Sequence, residues 1–216
     1  QRSVKNPFRR SKRRLGVTMG HLLGILFSPA NEWAKIRDQN DSIMGHFLKF
    51  ILIIAIAPPI AWYFGSTEIG WEIGGRVVRL TSESATQIMV LFYCAIILGI
   101  AFLGCMVHWM SETYEADTST LAKGIGVAAY TCVPMFVVGL TGFYPVLWLD
   151  MLLGCAAAGY TVYLLYLGVP IVMDIPKERG FLFASAMVAV GLVMCAALLG
   201  ATVILWEFGA MPVFTD

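Results

Sequence analysis

Charge is scarce in this chain: 13% of its 216 residues are Asp, Glu, Lys or Arg, against 58% hydrophobic, and the mean hydropathy is +0.75. A soluble fold of this length must clothe its surface in polar side chains, so the shortage excludes water as the only solvent. Histidine is nearly missing as well, with only His21, His46 and His108. The cysteines Cys94, Cys105, Cys132, Cys155 and Cys195 each sit inside an apolar run, and none has CxxC spacing. No ligand set converges as a metal or redox centre requires, so the cysteines read as small packing residues and no cofactor is expected. A Ser-His-Asp set, a phosphate-cradling glycine loop and paired intramembrane acids are also lacking, so neither enzymatic activity nor a nucleic-acid partner is expected.

What the chain does have is long apolar runs. Five are long enough to cross hydrocarbon, which takes about 20 helical residues: Ile43 to Phe64, Gln87 to Met110, Gly124 to Leu140, Pro145 to Val169 and Phe181 to Trp206. The third is the shortest and is expected to tilt or to begin earlier. The fold class is therefore an all-α integral membrane protein, a five-helix bundle preceded by short amphipathic interfacial helices. Its parts are a basic cytoplasmic arm with interfacial helices (1–42), a five-span membrane domain (43–206) and a short outer tail (207–216).

The net charge of +1 hides a gradient. Arg2, Lys5, Arg9, Arg10, Lys12, Arg13 and Arg14 open the chain, and Lys35, Arg37, Lys49, Lys123, Lys177 and Arg179 fall on the same side of the map. Only Arg76 and Arg79 fall on the other, and thirteen cations against two places the N-terminus in the cytoplasm and the C-terminus outside. Trp62, Trp71, Tyr144, Trp148 and Trp206 then lie near the outer boundary, and Trp33 and Trp109 near the inner one.

The basic patch, the run Leu15 to Phe27 and then Ser28-Pro29-Ala30 imitate a secretory leader. The reading preferred here is a retained interfacial helix, too short to span, with Gly16, Gly20 and Gly24 on one stripe. Its basic flank, Arg9, Arg10, Lys12, Arg13 and Arg14, is expected to lie against anionic headgroups, at about 1 kcal/mol per cation. Ser28 is expected to cap a second short helix with Pro29 at its first position and Glu32 in its first turn, and Trp33 and Ile36 to point to the membrane. In the outer loop, alternation around Gly74-Gly75, from Trp71 to Leu80, predicts a β-hairpin, the only strand pair expected. The acidic loop from Ser111 to Thr120 reads as a solvated segment rather than a partner of the arm.

Inside the bilayer, Asp150 shares a helical face with Gly154, Ala157, Thr161 and Gly168, small side chains that let another helix approach. It reads either as a proton- or cation-coupled group or, preferred for its shallow depth, as a helix cap bonded to a neighbouring loop. His108 reads as a titrating switch or, preferred, as a hydrogen-bonded interfacial histidine. Pro58 and Pro59 in span one and Pro134 in span three release the carbonyls of Ile54, Ala55 and Tyr130. Released carbonyls serve ions in broken-helix transporters, but more often a neighbour satisfies them. Tyr160, Tyr163 and Tyr166 are expected to pair their hydroxyls across helices. Ser185, Ala189, Ala196 and Gly200 form a small-residue face for helix association within or between copies.

Three segments resemble the Yip family, five-span membrane proteins first known as partners of Ypt/Rab GTPases, in its bacterial inner-membrane branch. They are Phe27-Ser28-Pro29-Ala30-Asn31-Glu32-Trp33-Ala34-Lys35-Ile36, Ala129-Tyr130-Thr131-Cys132-Val133-Pro134, and Leu167 to Pro170 followed by Met173 to Arg179. The likeness covers residues 22 to 206 and implies a non-enzymatic membrane protein, and the long polar N-terminal domain of the eukaryotic relatives is not expected. The expected function is membrane organisation or scaffolding through helix association, with the lipid bilayer, further copies or other membrane proteins as partners. The alternative is a transporter or channel for a small solute or ion that uses the kinked helices and Asp150.

Overall fold

With no water in hydrocarbon to satisfy a backbone N–H or C=O, each apolar run closes its hydrogen bonds within a helix. A computed structural model describes residues 20–38, 51–116 and 119–215. It contains five spans: Ile51–Ile69, Ser82–Ser111, Leu121–Phe143, Leu147–Met173 and Lys177–Ala210, numbered one to five below. The expected start of span one and the basic cluster from Arg9 to Arg14 lie outside the described residues.

Spans two and three begin earlier than hydropathy alone indicates, because polar capping turns add helix without adding apolarity. Thr81 caps span two by accepting from the Ser84 N–H at 3.3 Å, and Thr120 caps span three by accepting from Lys123 N–H at 3.2 Å. Spans one and three are each broken, at Ala55–Ile56 and at Cys132. In both, the prolines fall in the first turn of the following half-helix, Ala57–Phe64 or Val133–Gly139, where a missing N–H is tolerated.

Two short helices precede the bundle, α1 over residues 20–27 and α2 over Pro29–Arg37. Pro29 opens α2 as expected, but Ser28 makes no side-chain cap bond. The corner is closed by backbone instead, with Ser28 N–H donating to Gly24 C=O at 2.8 Å and Glu32 N–H to Ser28 C=O at 3.1 Å. The expectation that Trp33 and Ile36 face lipid is corrected: both are fully buried in the protein, because α2 lies against span four and turns its apolar face inward.

On the opposite face of the bundle, β1 (Trp71–Ile73) and β2 (Arg76–Leu80) pair antiparallel, with Trp71 opposite Val78 and Ile73 opposite Arg76. Gly74 and Gly75 take φ of 60° and 77°, the left-handed conformation that a two-residue hairpin loop needs at both positions. The hairpin is not the only strand pair. β3 (Phe214–Thr215) pairs with β2, placing Phe214 opposite Leu80 and Thr215 opposite Arg79. Thr81 N–H donates to Val213 C=O at 2.9 Å and Val213 N–H to Ser84 Oγ at 3.1 Å, so the C-terminal tail is stitched to the start of span two. Two residues carry no readable alternation, which is why the sequence left this strand out.

The core gathers where spans two, three and four meet α1 and α2, around Tyr130, Val127, Val107, Leu164 and Trp33. Spans two and three cross most closely at Gly104 and Gly124: a Cβ on Gly104 would come within 2.5 Å of the Ile125 Cα. Span five joins the core only near its start, through Gly180, Phe183, Ala184 and Met187.

Candidate functional sites in the bundle

On the arm face, Glu32, Trp33 and Ile36 share one side of α2 and enter the bundle together. Trp33 lies on Gly168 and meets the Tyr130 ring edge-on at 6.0 Å between centroids. Glu32, 3% exposed, pairs with His21 of α1 and accepts from Lys35 Nζ at 3.0 Å. Its carboxylate rests over the bare Cα of Gly24. Tyr160 completes the dock by donating its hydroxyl to the Leu26 carbonyl at 2.7 Å. Arg37 points outward and donates to Asp38 at 2.9 Å, a hydrogen bond that raises its guanidinium still further above neutrality.

Sequence reasoning passed over Glu32 and His21 as members of this cluster. The available signal was an acid four residues before Ile36 and one before Trp33, on the apolar side of an amphipathic helix, where a charge must find a partner. Tyr130, singled out for its carbonyl, contributes through its ring.

At the kinks, spans one and three pack directly on each other. A Cβ on Gly139 would stand 2.7 Å from Pro58 Cβ, and one on Gly142 would stand 2.6 Å from Trp62 Cδ1. Pro58 therefore lies in the contact between spans one and three, while Pro59 and Pro134 are buried in their own half-helices. The break in span one also releases the Leu52 carbonyl, because Ile56 N–H turns to Ile53, and Tyr93 of span two donates its hydroxyl to Leu52 at 3.0 Å.

Asp150 stands in the first turn of span four, where Thr141 at the end of span three donates its hydroxyl to Oδ1 at 2.6 Å. The helix-cap form of the expectation does not hold: Val146 is the cap residue and Asp150 reaches across to a neighbouring span. Its Oδ2 is buried without a hydrogen-bond partner. Asp150 and Gly154 border an apolar cavity of about 870 Å³, open on one side, to which all five spans contribute. Trp62, Thr141 and Trp206 line its end near the sheet, whereas Ile100, Leu103 and Cys132 line its depth. Down the Asp150 face of span four, Ala157 is buried, Thr161 holds its hydroxyl buried without a hydrogen-bond partner, and Gly168 receives Trp33. The small-residue face is thus filled by α2 at its arm end and open to the cavity at its sheet end.

His108 is exposed, with Nδ1 3.3 Å from Ser119 Oγ. Nearby, Glu115 pairs with Arg179 and Tyr114 stacks on Phe183 at 4.7 Å, so the acidic loop docks onto span five. Tyr166 shares a hydrogen bond of 2.8 Å with Ser185, while Tyr163 stays exposed.

The family model of the Yip1 domain matches residues 23–198. Inner membrane protein YohC of Escherichia coli strain K12 is 38% identical over 192 residues, 88% of this chain and 98% of the relative. The YohC protein of Escherichia coli O6:H1 matches with the same identity and coverage. No solved structure matches.

Proposed function

Because the chain belongs to the Yip1 domain family and is an integral inner-membrane protein, we propose that it is a non-enzymatic membrane organiser that associates with a second copy of itself through span five, its N-terminus in the cytoplasm. The observation that carries this reading is the two-sidedness of that helix. Phe183, Ala184 and Met187 pack inward, and Met194, Leu198, Ala201 and Leu205 continue the same face along the cavity. At about 100° per residue, Ala189, Ala196 and Gly200 fall on the opposite face. Ala189, Ala196 and Gly200 are exposed, and a Cβ on Gly200 would meet nothing within 4 Å. A bare, small-residue helix face lets two backbones approach, which is how helices associate where burial from water gives no drive.

The transporter reading asks for a polar path lined by released carbonyls. The closure of Leu52 by Tyr93 and the glycine contacts at Pro58 and Trp62 weigh against it. Ile54, Ala55 and Tyr130 do not line the cavity.

Disulfide cross-linking of single-cysteine variants in native membranes tests the proposal. Ala196→Cys and Gly200→Cys are expected to give dimers and Leu198→Cys on the inward face none; a monomeric Gly200→Cys protein would remove the self-association reading. Proteoliposomes are expected to pass neither ions nor small solutes, for the wild type and for Asp150→Asn alike. Labelling of a cysteine in the C-terminal tail by an impermeant thiol reagent on intact spheroplasts checks the orientation.

A further inference from the structure

The geometry points to the cavity beside Asp150 as a binding site for one phospholipid with a primary ammonium headgroup, drawn from the leaflet on the sheet side. Span five packs tightly only at its start and then diverges, so the same face that is buried at Phe183 and Met187 borders empty space at Leu198 and Leu205. The lining runs from Ile88 to Leu103 on span two, about 22 Å along the helix, and one leaflet of hydrocarbon is about 15 Å deep. An apolar, half-open cavity of about 870 Å³ running along membrane-spanning helices suits an acyl chain.

Its polarity is concentrated at one end. Thr141 and Asp150 sit near the sheet, and the other lining hydroxyl, Thr202, is spent on the Leu198 carbonyl at 2.8 Å. Thr141 occupies Oδ1 of Asp150, while Oδ2 is buried without a hydrogen-bond partner. A buried carboxylate oxygen in that state favours a cationic donor over a neutral or anionic head. Gly154, four residues along from Asp150, leaves the space beside the carboxylate clear, since a Cβ there would meet nothing within 4 Å.

The test uses the full chain purified in mild detergent, with phosphatidylethanolamine and phosphatidylglycerol of identical acyl chains added in turn. Retention is read by native mass spectrometry, and thermal protection by the shift in Tm. The wild type is expected to retain phosphatidylethanolamine roughly tenfold better than phosphatidylglycerol. Asp150→Asn keeps an acceptor for Thr141 and is expected to lose that preference. Gly154→Leu is expected to lower retention of both lipids, and Gly159→Leu, on the exposed side of span four with no atom near its Cβ, to match the wild type. Equal retention of the two lipids by the wild type, or retention that neither Asp150→Asn nor Gly154→Leu lowers, overturns the assignment.

Discussion

Trp33 seats its indole on the bare backbone of Gly168, so closely that a Cβ at residue 168 would come within 2.5 Å of the indole Cε2. The contact joins a nine-residue helix before the bundle to the last two turns of span four, and it fixes where α2 lies. Trp33 is fully buried and has nowhere to retreat. Gly168→Leu is therefore expected to unseat α2, at about 1–3 kcal/mol for overpacking, and Trp33→Ala to cost about 3–5 kcal/mol for the lost ring. Thermal unfolding in detergent measures both. A red shift in tryptophan emission of Gly168→Leu, absent from Gly168→Leu/Trp33→Phe, would locate the change at this indole.

Glu32 gives a second, chemically distinct test of the same dock. Glu32→Ala leaves His21 without its carboxylate partner and is expected to lose about 1–3 kcal/mol, whereas Glu32→Gln keeps acceptor and shape and is expected to lose less. Gly24→Ala places a methyl where the Glu32 carboxylate lies, so it is expected to shift stability in the same direction as Glu32→Ala. Equal stability of Glu32→Ala and wild type in a denaturant series would show that the cluster holds nothing.

Tyr93→Phe removes the donor that closes the Leu52 carbonyl at the break in span one. Hydrogen bonds between membrane helices average about 0.6 kcal/mol, so the loss is expected to stay near or below 1 kcal/mol. Proton flux through proteoliposomes is expected to remain at background in this variant, because the neighbouring Gly139–Pro58 contact still fills the break.

The loop between spans two and three contrasts two attachments. Arg179 and Glu115 are both substantially exposed, so Arg179→Ala is expected to change stability by no more than about 1 kcal/mol and only at low salt. Tyr114 stacks on Phe183, which is fully buried, and aromatic pairs add about 0.5–1.5 kcal/mol beyond burial. Tyr114→Ala is expected to exceed Arg179→Ala, and protease cleavage near Thr113 is expected to accelerate only in the former.

Where sequence and structure agree, the reason is local. The hairpin from Trp71 to Leu80 was legible because two adjacent glycines admit the tight turn that joins its strands. Pro29 marked the start of α2 for a similar reason, since its ring presets the first helical φ. Asp150 was legible as a costly residue near a helix end, but its partner was not, because Thr141 belongs to another span. The same holds for Tyr93 and Leu52, 41 residues apart.

By itself the sequence determined the five spans, the start of α2 and the hairpin, because hydrocarbon allows a long apolar backbone no other hydrogen-bonding solution, proline presets a first helical turn and a glycine pair admits few turns. Only the tertiary structure decided that Trp33 turns inward onto Gly168, that Glu32 is buried against His21, that the tail adds a third strand, and that span five parts from its neighbours beside Asp150. Each of these depends on which helix faces lie against one another, and within a bilayer a lipid-facing and a protein-facing residue are equally apolar, so the pattern along the chain does not distinguish them.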